Sequence, residues 1–506
     1  MSDAMQSSYH GIAARLDRMP ITGFHKKILW LLAGITFCDS VDMAVGGPIG
    51  MVLQSTYDAA GNQWMTLEQF ALFNSITMIG YLIGGLMAGA LSDGIGRKKA
   101  VLICGSIFTV FCFVAAGAPD ATFLTACRFF MGLGLGAAFP AGYSALTEFT
   151  PPTKRGKYQS YVGLIANCGT LVASAMNMIV LPMLGWRPVF VICGIVGAAV
   201  VILCFTFLEE SPRWLAMKGQ TEKADKIVSN IEAKTAAKGV DVPAVPEEEI
   251  QRRENAEVVK DLPWSFLFKK SMITRTLTAM FLCFVMNVLV YTVISWTPTI
   301  LKANGFDPHM STVLTVVMQL GIPVGVGALT FYVEKVNRKT ILIVTYVLIA
   351  IIGPVWASLP TDNTALIMFI GFLLCVCTFT NSVTTAAIYL SEPFPTACRI
   401  RGAGVANAFG RLGGIFSPMW IAFFMGTSLG TTGVFIINAC LAIFMAIWLA
   451  IFGVETRGRT LEDITKGLLD ELVVKRFDPP IGHIATHERD LHRGSRFVIV
   501  GKVHLR

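Results

Sequence analysis

The sequence predicts an all-α membrane protein of twelve transmembrane helices, arranged as two six-helix halves. Three observations predict this fold. The 506 residues are 54% hydrophobic and only 15% charged, which is far from the balance of a water-soluble globular protein. Apolar segments close to the ~20 residues that cross a bilayer recur along most of the chain. Short motifs from the first half of the chain also return in the second half.

Twelve apolar segments have the length of membrane-spanning helices, and the alternating pattern of transmembrane strands is not seen. We number these segments spans 1 to 12, with predicted bounds at 27–48, 67–91, 99–118, 121–147, 159–182, 188–208, 274–300, 311–333, 339–358, 364–390, 402–425 and 430–453. They divide the chain into an N-terminal segment 1–26, a first six-helix bundle 27–208, a central loop 209–273, a second six-helix bundle 274–453 and a tail 454–506. The central loop is polar, and we expect it to be partly helical.

Positive charge is concentrated in alternate loops. The loops after spans 2, 4, 8 and 10 carry Lys and Arg, whereas residues 58–64, 119–120, 360–363 and 426–430 contain neither. Because cytoplasmic loops carry the excess of Lys and Arg, we expect both termini in the cytoplasm of a multi-pass protein of the inner (plasma) membrane. The net charge of +8 then reflects orientation in the lipid bilayer and not binding to nucleic acid.

Cysteine and histidine give no sign of a metal centre or a catalytic site. The twelve Cys residues lie almost all within apolar runs, without the spacing of a disulfide framework or a zinc site. The seven His residues lie near the chain ends or in loops. We therefore expect no metal, no cofactor and no catalytic residue, which argues against a membrane-embedded enzyme.

Two loop motifs occur twice. GALSDGIGRKK at 89–99 and VEKVNRK at 333–339 each contain an acid, an Arg four residues later and then a Lys. EFTPPTKRG at 148–156 and EPFPTACRIRG at 392–402 each contain a Glu, a Pro three residues later and an Arg seven residues later. A parallel repeat of six spans is the internal symmetry expected of a transporter that rocks around a site between its halves.

At these residues the chain resembles the major facilitator superfamily. GALSDGIGRKK resembles the loop motif of that superfamily, with departures at Gly94, Glu334 and Asn337. EESPRWLAMKGQ at 209–220 and VETRGRTLED at 454–463 resemble signatures of sugar porters and organic-ion transporters. Three further segments are similar to bacterial metabolite/proton symporters, the group that holds aromatic-acid and niacin transporters: CDSVD at 38–42, SWTPTIL at 295–301 and FGRLGGIFSP at 409–418. The resemblance covers about residues 25–465 and implies a monomeric secondary transporter without a cofactor.

The charged loop motifs form one predicted functional group, through this resemblance. Opposite charges there could latch the two halves when the cavity faces outward and release them when it faces inward. The alternative is a set of solvated loop charges. The predicted gate residues are Gly89, Asp93, Gly96, Arg97, Glu148, Arg155, Glu334, Arg338, Glu392 and Arg399.

Charged side chains within a span cost at least ~2.5 kcal/mol each, so each requires a partner or a function. Asp39 and Asp42 share a face of span 1, about 18 and 22 Å from Lys27. Arg128 lies about 10 Å below the outer surface in span 4, level with Asp42. We predict that Asp42 pairs with Arg128 and that Asp39 or Asp42 takes the driving proton, because a carboxylate removed from water can bind a proton near neutral pH. The alternative is a permanent ion pair that only orients spans 1 and 4.

Arg411 is a second isolated cation, about 12 Å from the cytoplasmic face of span 11. Because a guanidinium suits a carboxylate, Arg411 is the predicted anchor of an anionic substrate, a role that Arg128 could share. The alternative is a partner for helix carbonyls or for an acid in span 10. Polar and aromatic side chains that could line a cavity complete the predicted substrate site, although interhelical hydrogen bonds would also explain them. These are Tyr161, Asn167, Asn287, Tyr291, Gln319, Asn381 and Asn407.

Together these residues favour proton-coupled uptake of a small organic acid, such as an aromatic or nicotinate-like carboxylate, by alternating access. The loops that resemble those of sugar porters favour a sugar or polyol symporter instead. An efflux pump is less favoured, because span 5 lacks the Gly-Pro-rich motif that such pumps often carry. A nutrient sensor without transport is also less favoured, because the tail is short.

Overall fold

A computed structural model describes residues 3–57, 61–237, 264–270, 272–332, 335–390, 392–394 and 398–455, with the single residues 239, 242 and 246. Within them, twelve helices are long and apolar enough to cross a membrane, so the twelve predicted spans are confirmed. Their bounds are Gly23–Leu53, Leu67–Ile95, Arg97–Ala116, Ala121–Phe149, Lys157–Leu184, Arg187–Phe207, Ile273–Ala303, Pro308–Leu329, Arg338–Ala357, Thr364–Ala386, Arg401–Met425 and Gly430–Phe452.

The two halves pack in the same way. In the first bundle, span 2 contacts span 4, span 1 contacts span 5, and span 3 contacts spans 4 and 6. The second bundle repeats these contacts: span 8 contacts span 10, span 7 contacts span 11, and span 9 contacts spans 10 and 12. Spans 2 and 11, spans 5 and 8, and spans 1 and 7 join the bundles. The cavity of a transporter with this symmetry lies along that junction.

Spans 7 and 10 each contain a π-helical turn, at Thr292–Trp296 and Thr384–Tyr389. A π turn inserts one extra residue into the helix and rotates the side chains that follow it, and such turns are frequent at functional sites. In span 7 the turn ends at Trp296, whose side chain is fully buried. The local backbone therefore decides which way this indole points.

Glycines bring span 4 close to span 2. A Cβ atom added to Gly132 would lie only 2.4 Å from the carbonyl oxygen of Thr77. A Cβ on Gly136 would lie equally close to the carbonyl oxygen of Tyr81, at 2.4 Å. Only residues without a side chain allow this approach. The close contact fixes Arg128, one turn away on span 4, against span 2.

A small helical assembly lies on the side of the membrane that carries Lys27, Arg97 and Arg338, which we call the basic side. The central loop forms the helices Pro212–Met217 and Thr221–Ala236, in agreement with the partly helical loop that the sequence predicts. The sequence did not predict that Asp3–Asp17 forms a helix as well. Ile12 and Leu16 pack against Trp214 in a separate apolar cluster. Arg15 reinforces this contact with an ion pair to Glu232, 2.6 Å long.

We predict that Gly96→Ala destabilises the protein. Gly96 joins spans 2 and 3 with φ 103°, and an added Cβ would lie 2.3 Å from Oε2 of Glu210. Backbone strain of this kind costs about 1–3 kcal/mol, so the apparent midpoint of thermal unfolding in detergent is expected to fall. Gly94→Ala is the matched control, because Gly94 lies within the helix and has open space around its Cβ position. Equal midpoints for the two variants would contradict this prediction.

Candidate functional site

A buried ion pair joins spans 1 and 4. Nη1 of Arg128 donates to Oδ1 of Asp42, and Nη2 lies 3.4 Å from the backbone carbonyl oxygen of the same residue. The side chain of Asp42 is 0% exposed and that of Arg128 is 2% exposed. The guanidinium also lies over the ring of Phe73, 5.2 Å from its centroid. An unpaired charge at this depth would be strongly unfavourable, so each of the two residues requires the other.

A second set of charges lies beside this pair and connects the two bundles. Asp39 is half-buried in span 1, one turn from Asp42. Tyr81 of span 2 belongs to the same cluster, and its buried hydroxyl makes no hydrogen bond with the described residues. From the other bundle, the guanidinium of Arg411 lies over the Tyr81 ring at 5.6 Å and interacts electrostatically with Asp39. Nη1 of Arg411 also contacts the hydroxyl of Tyr291, at 3.5 Å.

Several polar atoms of this cluster are buried without a hydrogen-bond partner among the described residues. They include Oδ1 of Asp39, Oδ2 of Asp42 and Nε of Arg128. Most buried polar groups in folded proteins are satisfied, and an unsatisfied group calls for an explanation, which here is a site that exchanges ligands, water or protons. The cluster thus combines two carboxylates, two guanidinium groups and two phenols at the junction of the bundles.

A narrow cleft between the bundles adjoins this cluster. Met43, Asn74, Met78 and Arg128 line it from the first bundle. Tyr291, Ser295, Trp296, Gly414 and Pro418 line it from the second. Five of these nine residues carry a polar side-chain group, and in small-molecule sites such groups fix the orientation of the ligand. This cleft is the candidate substrate site.

Contacts between the bundles close the cleft on the side opposite the basic side. A Cβ on Gly47 of span 1 would lie 2.3 Å from the carbonyl oxygen of Ser295 in span 7. Near the end of span 7, Nζ of Lys302 donates to Oγ of Ser55, two residues beyond span 1, at 2.5 Å. Oγ of Ser75 donates to the carbonyl oxygen of Ile415 at 2.7 Å. Each of these contacts must break if the cleft is to open on that side.

The other predicted substrate residues have different positions. Asn167 and Asn287 donate to carbonyl oxygens of their own helices, both at 2.8 Å. Gln319 accepts a hydrogen bond from Ser174 across the bundle junction, and Asn381 donates to Thr345 within the second bundle at 2.9 Å. These two amides therefore form interhelical hydrogen bonds, the alternative weighed from the sequence.

Tyr161 and Asn407 are exposed. Tyr161 lies near the basic-side end of span 5, where Nζ of Lys157 is 5.7 Å from its ring centroid. The structure does not bring either residue to the charged cluster. Of the predicted substrate residues, only Arg411 and Tyr291 contact each other there.

The loop motif of the first bundle forms a charge network. Arg97 contacts Oδ1 of Asp93 at 2.7 Å and Oε1 of Glu148 at 2.8 Å. Glu210 accepts a hydrogen bond from the backbone N–H of Lys98, at 3.1 Å. Because span 3 begins at Arg97, Glu210 satisfies an N–H that the helix cannot satisfy itself and places a negative charge at the positive end of the helix dipole.

The second bundle repeats the network. Arg338 forms an ion pair with Glu392, and the carboxylate of Glu455 accepts from the backbone N–H groups of Arg338 and Lys339 at 3.2 and 3.3 Å. Glu455 thus corresponds to Glu210. Each of these ion pairs forms within one bundle, so the predicted latch between the halves stays a prediction. Glu334 and the side chains of Arg155 and Arg399 lie outside the described part of the chain, and nothing contacts the Cβ position of Gly89.

Four residues of these sites were missed by the sequence analysis. Tyr81 is a phenol in an otherwise apolar span, and Trp296 lies within the segment SWTPTIL. Glu210 and Glu455 lie within the two segments that resemble sugar-porter signatures. Their motifs were visible in the sequence, but the atoms that each side chain contacts depend on the packing of distant spans.

We predict strong energetic coupling between Asp42 and Arg128. Asp42→Asn and Arg128→Gln each leave one buried charge without its partner, which costs about 3–5 kcal/mol. The double variant removes both charges and is expected to regain much of the lost thermal stability in detergent. If the effects of the two single substitutions simply add, the pair does not stabilise the fold.

Comparisons with known proteins agree with this architecture. Residues 35–468 match the model of a family described as sugar (and other) transporter. The chain is 32% identical over 459 residues to the inner membrane metabolite transport protein YdjE of Escherichia coli (strain K12), covering 90% of this chain and 99% of that protein. It is 27% identical to the niacin transporter NiaP of Acinetobacter baylyi, with 90% and 99% covered.

Among solved structures, the xylose transporter XylE from E. coli, in a partially occluded inward open conformation, superposes with a TM-score of 0.69 at 20% identity. The match covers 87% of this chain and all of that one, which shows a shared fold. The chain therefore belongs to the sugar (and other) transporter family of the major facilitator superfamily, and it is a multi-pass membrane transporter and not an enzyme.

Proposed function

We propose that the protein takes up a small organic acid together with a proton, by alternating access, as a monomer in the inner membrane with both termini in the cytoplasm. The observation that carries this proposal is the charged cluster at the bundle junction. Asp39, Asp42, Arg128 and Arg411 lie beside a cleft that both bundles line. One comparison favours the same substrate class, because NiaP is a niacin transporter. The segments at 38–42, 295–301 and 409–418 also resemble those of the group that holds aromatic-acid and niacin transporters.

The charge balance of the cluster couples a proton to an anion. Two aspartates and two arginines sum to zero, which is the state that a site poor in water favours. A proton on Asp39 or Asp42 leaves one excess positive charge. A carboxylate that enters at Arg411 restores neutrality, so the anion and the proton each favour binding of the other.

Asp39 is better placed than Asp42 to exchange the proton during transport. Asp42 is fully buried and held by Arg128, whereas Asp39 is half-buried and its charged neighbour Arg411 belongs to the other bundle. When a substrate carboxylate engages Arg411, Asp39 loses part of the interaction that stabilises its negative charge. Rocking of the bundles would change the distance between these two residues, and with it the proton affinity of Asp39.

A sugar symporter is the second candidate function. The family match and the fold shared with a xylose transporter favour it. Neutral sugars are usually bound through amides and hydroxyls. Two of the predicted amides, Gln319 and Asn381, already form hydrogen bonds with Ser174 and Thr345.

The cleft itself offers one amide and one hydroxyl that could suit a sugar, from Asn74 and Ser295, beside the guanidinium of Arg128. Because the buried guanidinium suits an anion better than a neutral sugar, the site favours the acid.

Uptake measurements decide between the two substrates. We expect energised membrane vesicles that contain the protein to accumulate at least one labelled acid from a panel of nicotinate, benzoate, 4-hydroxybenzoate and shikimate. A proton uncoupler is expected to abolish the accumulation, because the gradient drives it. Vesicles without the protein are the control. Accumulation of a hexose alone would refute the proposal of an organic acid.

We further predict that Asp39→Asn abolishes uphill, uncoupler-sensitive accumulation while it retains downhill exchange of the same acid. An amide cannot bind and release the proton, but it occupies the same volume as the carboxylate. Asp42→Asn tests the second candidate carboxylate. Asp120→Asn is the control, because Asp120 caps span 4 outside the cluster and Asn is an equally good cap. If Asp39→Asn and Asp42→Asn both accumulate substrate normally, neither aspartate couples the proton.

A further inference from the structure

Two N–H donors of residues that line the cleft lack a hydrogen-bond partner in the part of the chain that the structure describes. Nε of Arg128 and Nε1 of Trp296 are buried and make no hydrogen bond with the described residues. Both residues line the cleft, one from each bundle. Leaving a buried donor unsatisfied costs free energy, so two of them at one cleft indicate a ligand that supplies acceptors.

We propose that Trp296 and Arg128 bind a second acceptor group of the substrate, separate from the carboxylate at Arg411. The group is a phenolic oxygen, a ring nitrogen or an oxygen of a second carboxylate. This inference rests on the proposed function and narrows it: the transported acid carries an acceptor substituent across its ring or chain from the carboxylate.

Tyr291 connects the two ends of this site. Its hydroxyl contacts Arg411, and its side chain lines the cleft. Trp296 lies five residues further along span 7, about 7 Å nearer the opposite side. A ligand with its carboxylate at Arg411 would therefore extend along Tyr291 toward Trp296, over a distance that suits a single substituted ring.

Apolar groups form part of the cleft wall, beside the polar side chains of Asn74 and Ser295. Met43 and Met78 face the cleft from the first bundle, and Gly414 and Pro418 face it from the second. Thioether side chains adapt to flat apolar groups and interact favourably with aromatic rings. A ring held between polar groups at its two ends matches this arrangement.

Packing fixes both donors before a ligand arrives. The Trp296 indole lies 4.7 Å from the ring of Phe70, centroid to centroid, and it is 0% exposed. Arg128 is held by Asp42 and by the face of Phe73. Fixed donors lose little entropy on binding, and a site built to hydrogen-bond one group rejects an analogue that lacks it. Acceptor-bearing acids should therefore be preferred over benzoate.

Trp296→Phe tests the inference, because phenylalanine keeps the aromatic packing and removes only the indole N–H. We expect its KM for 4-hydroxybenzoate or nicotinate, whichever the wild type transports, to rise about tenfold, while its KM for benzoate changes less than twofold. Trp420→Phe is the matched control. Its indole N–H also has no partner among the described residues, but Trp420 does not line the cleft.

The possible outcomes separate this inference from the proposed function. If the protein takes up acids but Trp296→Phe changes the KM for benzoate and for 4-hydroxybenzoate equally, or changes neither, the proposed donor pair is wrong. Acid transport itself would still stand. No uptake of any acid by the wild type refutes the proposed function and this inference with it. If Trp296→Phe does not reach the membrane, the wild type decides: equal KM values for benzoate and both acceptor-bearing acids overturn the inference.

Discussion

Asp42 and Arg128 lie where water cannot solvate either charge, and the arrangement of the first bundle depends on their contact. In a bilayer an isolated carboxylate or guanidinium is costly, so spans 1 and 4 must remain at the distance and rotation that keep the two groups together. The glycines of span 4 allow it to approach span 2 closely enough to bring Arg128 to that position. Tyr81 enters the same site from span 2, so three helices meet at a single buried charge pair.

The cost of a buried, unpaired charge also governs the charged groups at the junction of the bundles. Asp39 and Arg411 approach each other from different bundles, whereas Asp42 and Arg128 belong to one. A motion of one bundle against the other therefore leaves the second pair intact and changes the first. We therefore propose that the pair within one bundle maintains its structure and that the pair between the bundles responds to the conformation and to the ligand. In the proposed function, the neutral sum of the four charges connects the binding of an anion to the binding of a proton.

On the basic side, each bundle uses a carboxylate to complete the start of a helix. Glu210 caps the first turn of span 3 and Glu455 caps that of span 9. In the first bundle this network extends outward: Arg213 donates to the carbonyl oxygen of Glu148 at 3.0 Å and to Asp17 at 2.5 Å. The N-terminal helix is thereby connected to the charged loop motif. A displacement of the loop motif at 89–99 would therefore also displace the helices of the central segment.

The sequence by itself determined the twelve spans, their repeat and the few charges within them, because hydropathy and the cost of a charge in lipid are local properties of a segment. Depth along a helix also follows from residue count, which is why Asp42 and Arg128 could be placed at one level. Tertiary structure decided which side chains meet. The rotation of each helix turned Gln319 and Asn381 toward helix partners, and it placed the ring of Tyr81 against the guanidinium of Arg411. The π turn in span 7 placed Trp296 at the cleft. These outcomes depend on packing between spans far apart in sequence, which no single segment encodes.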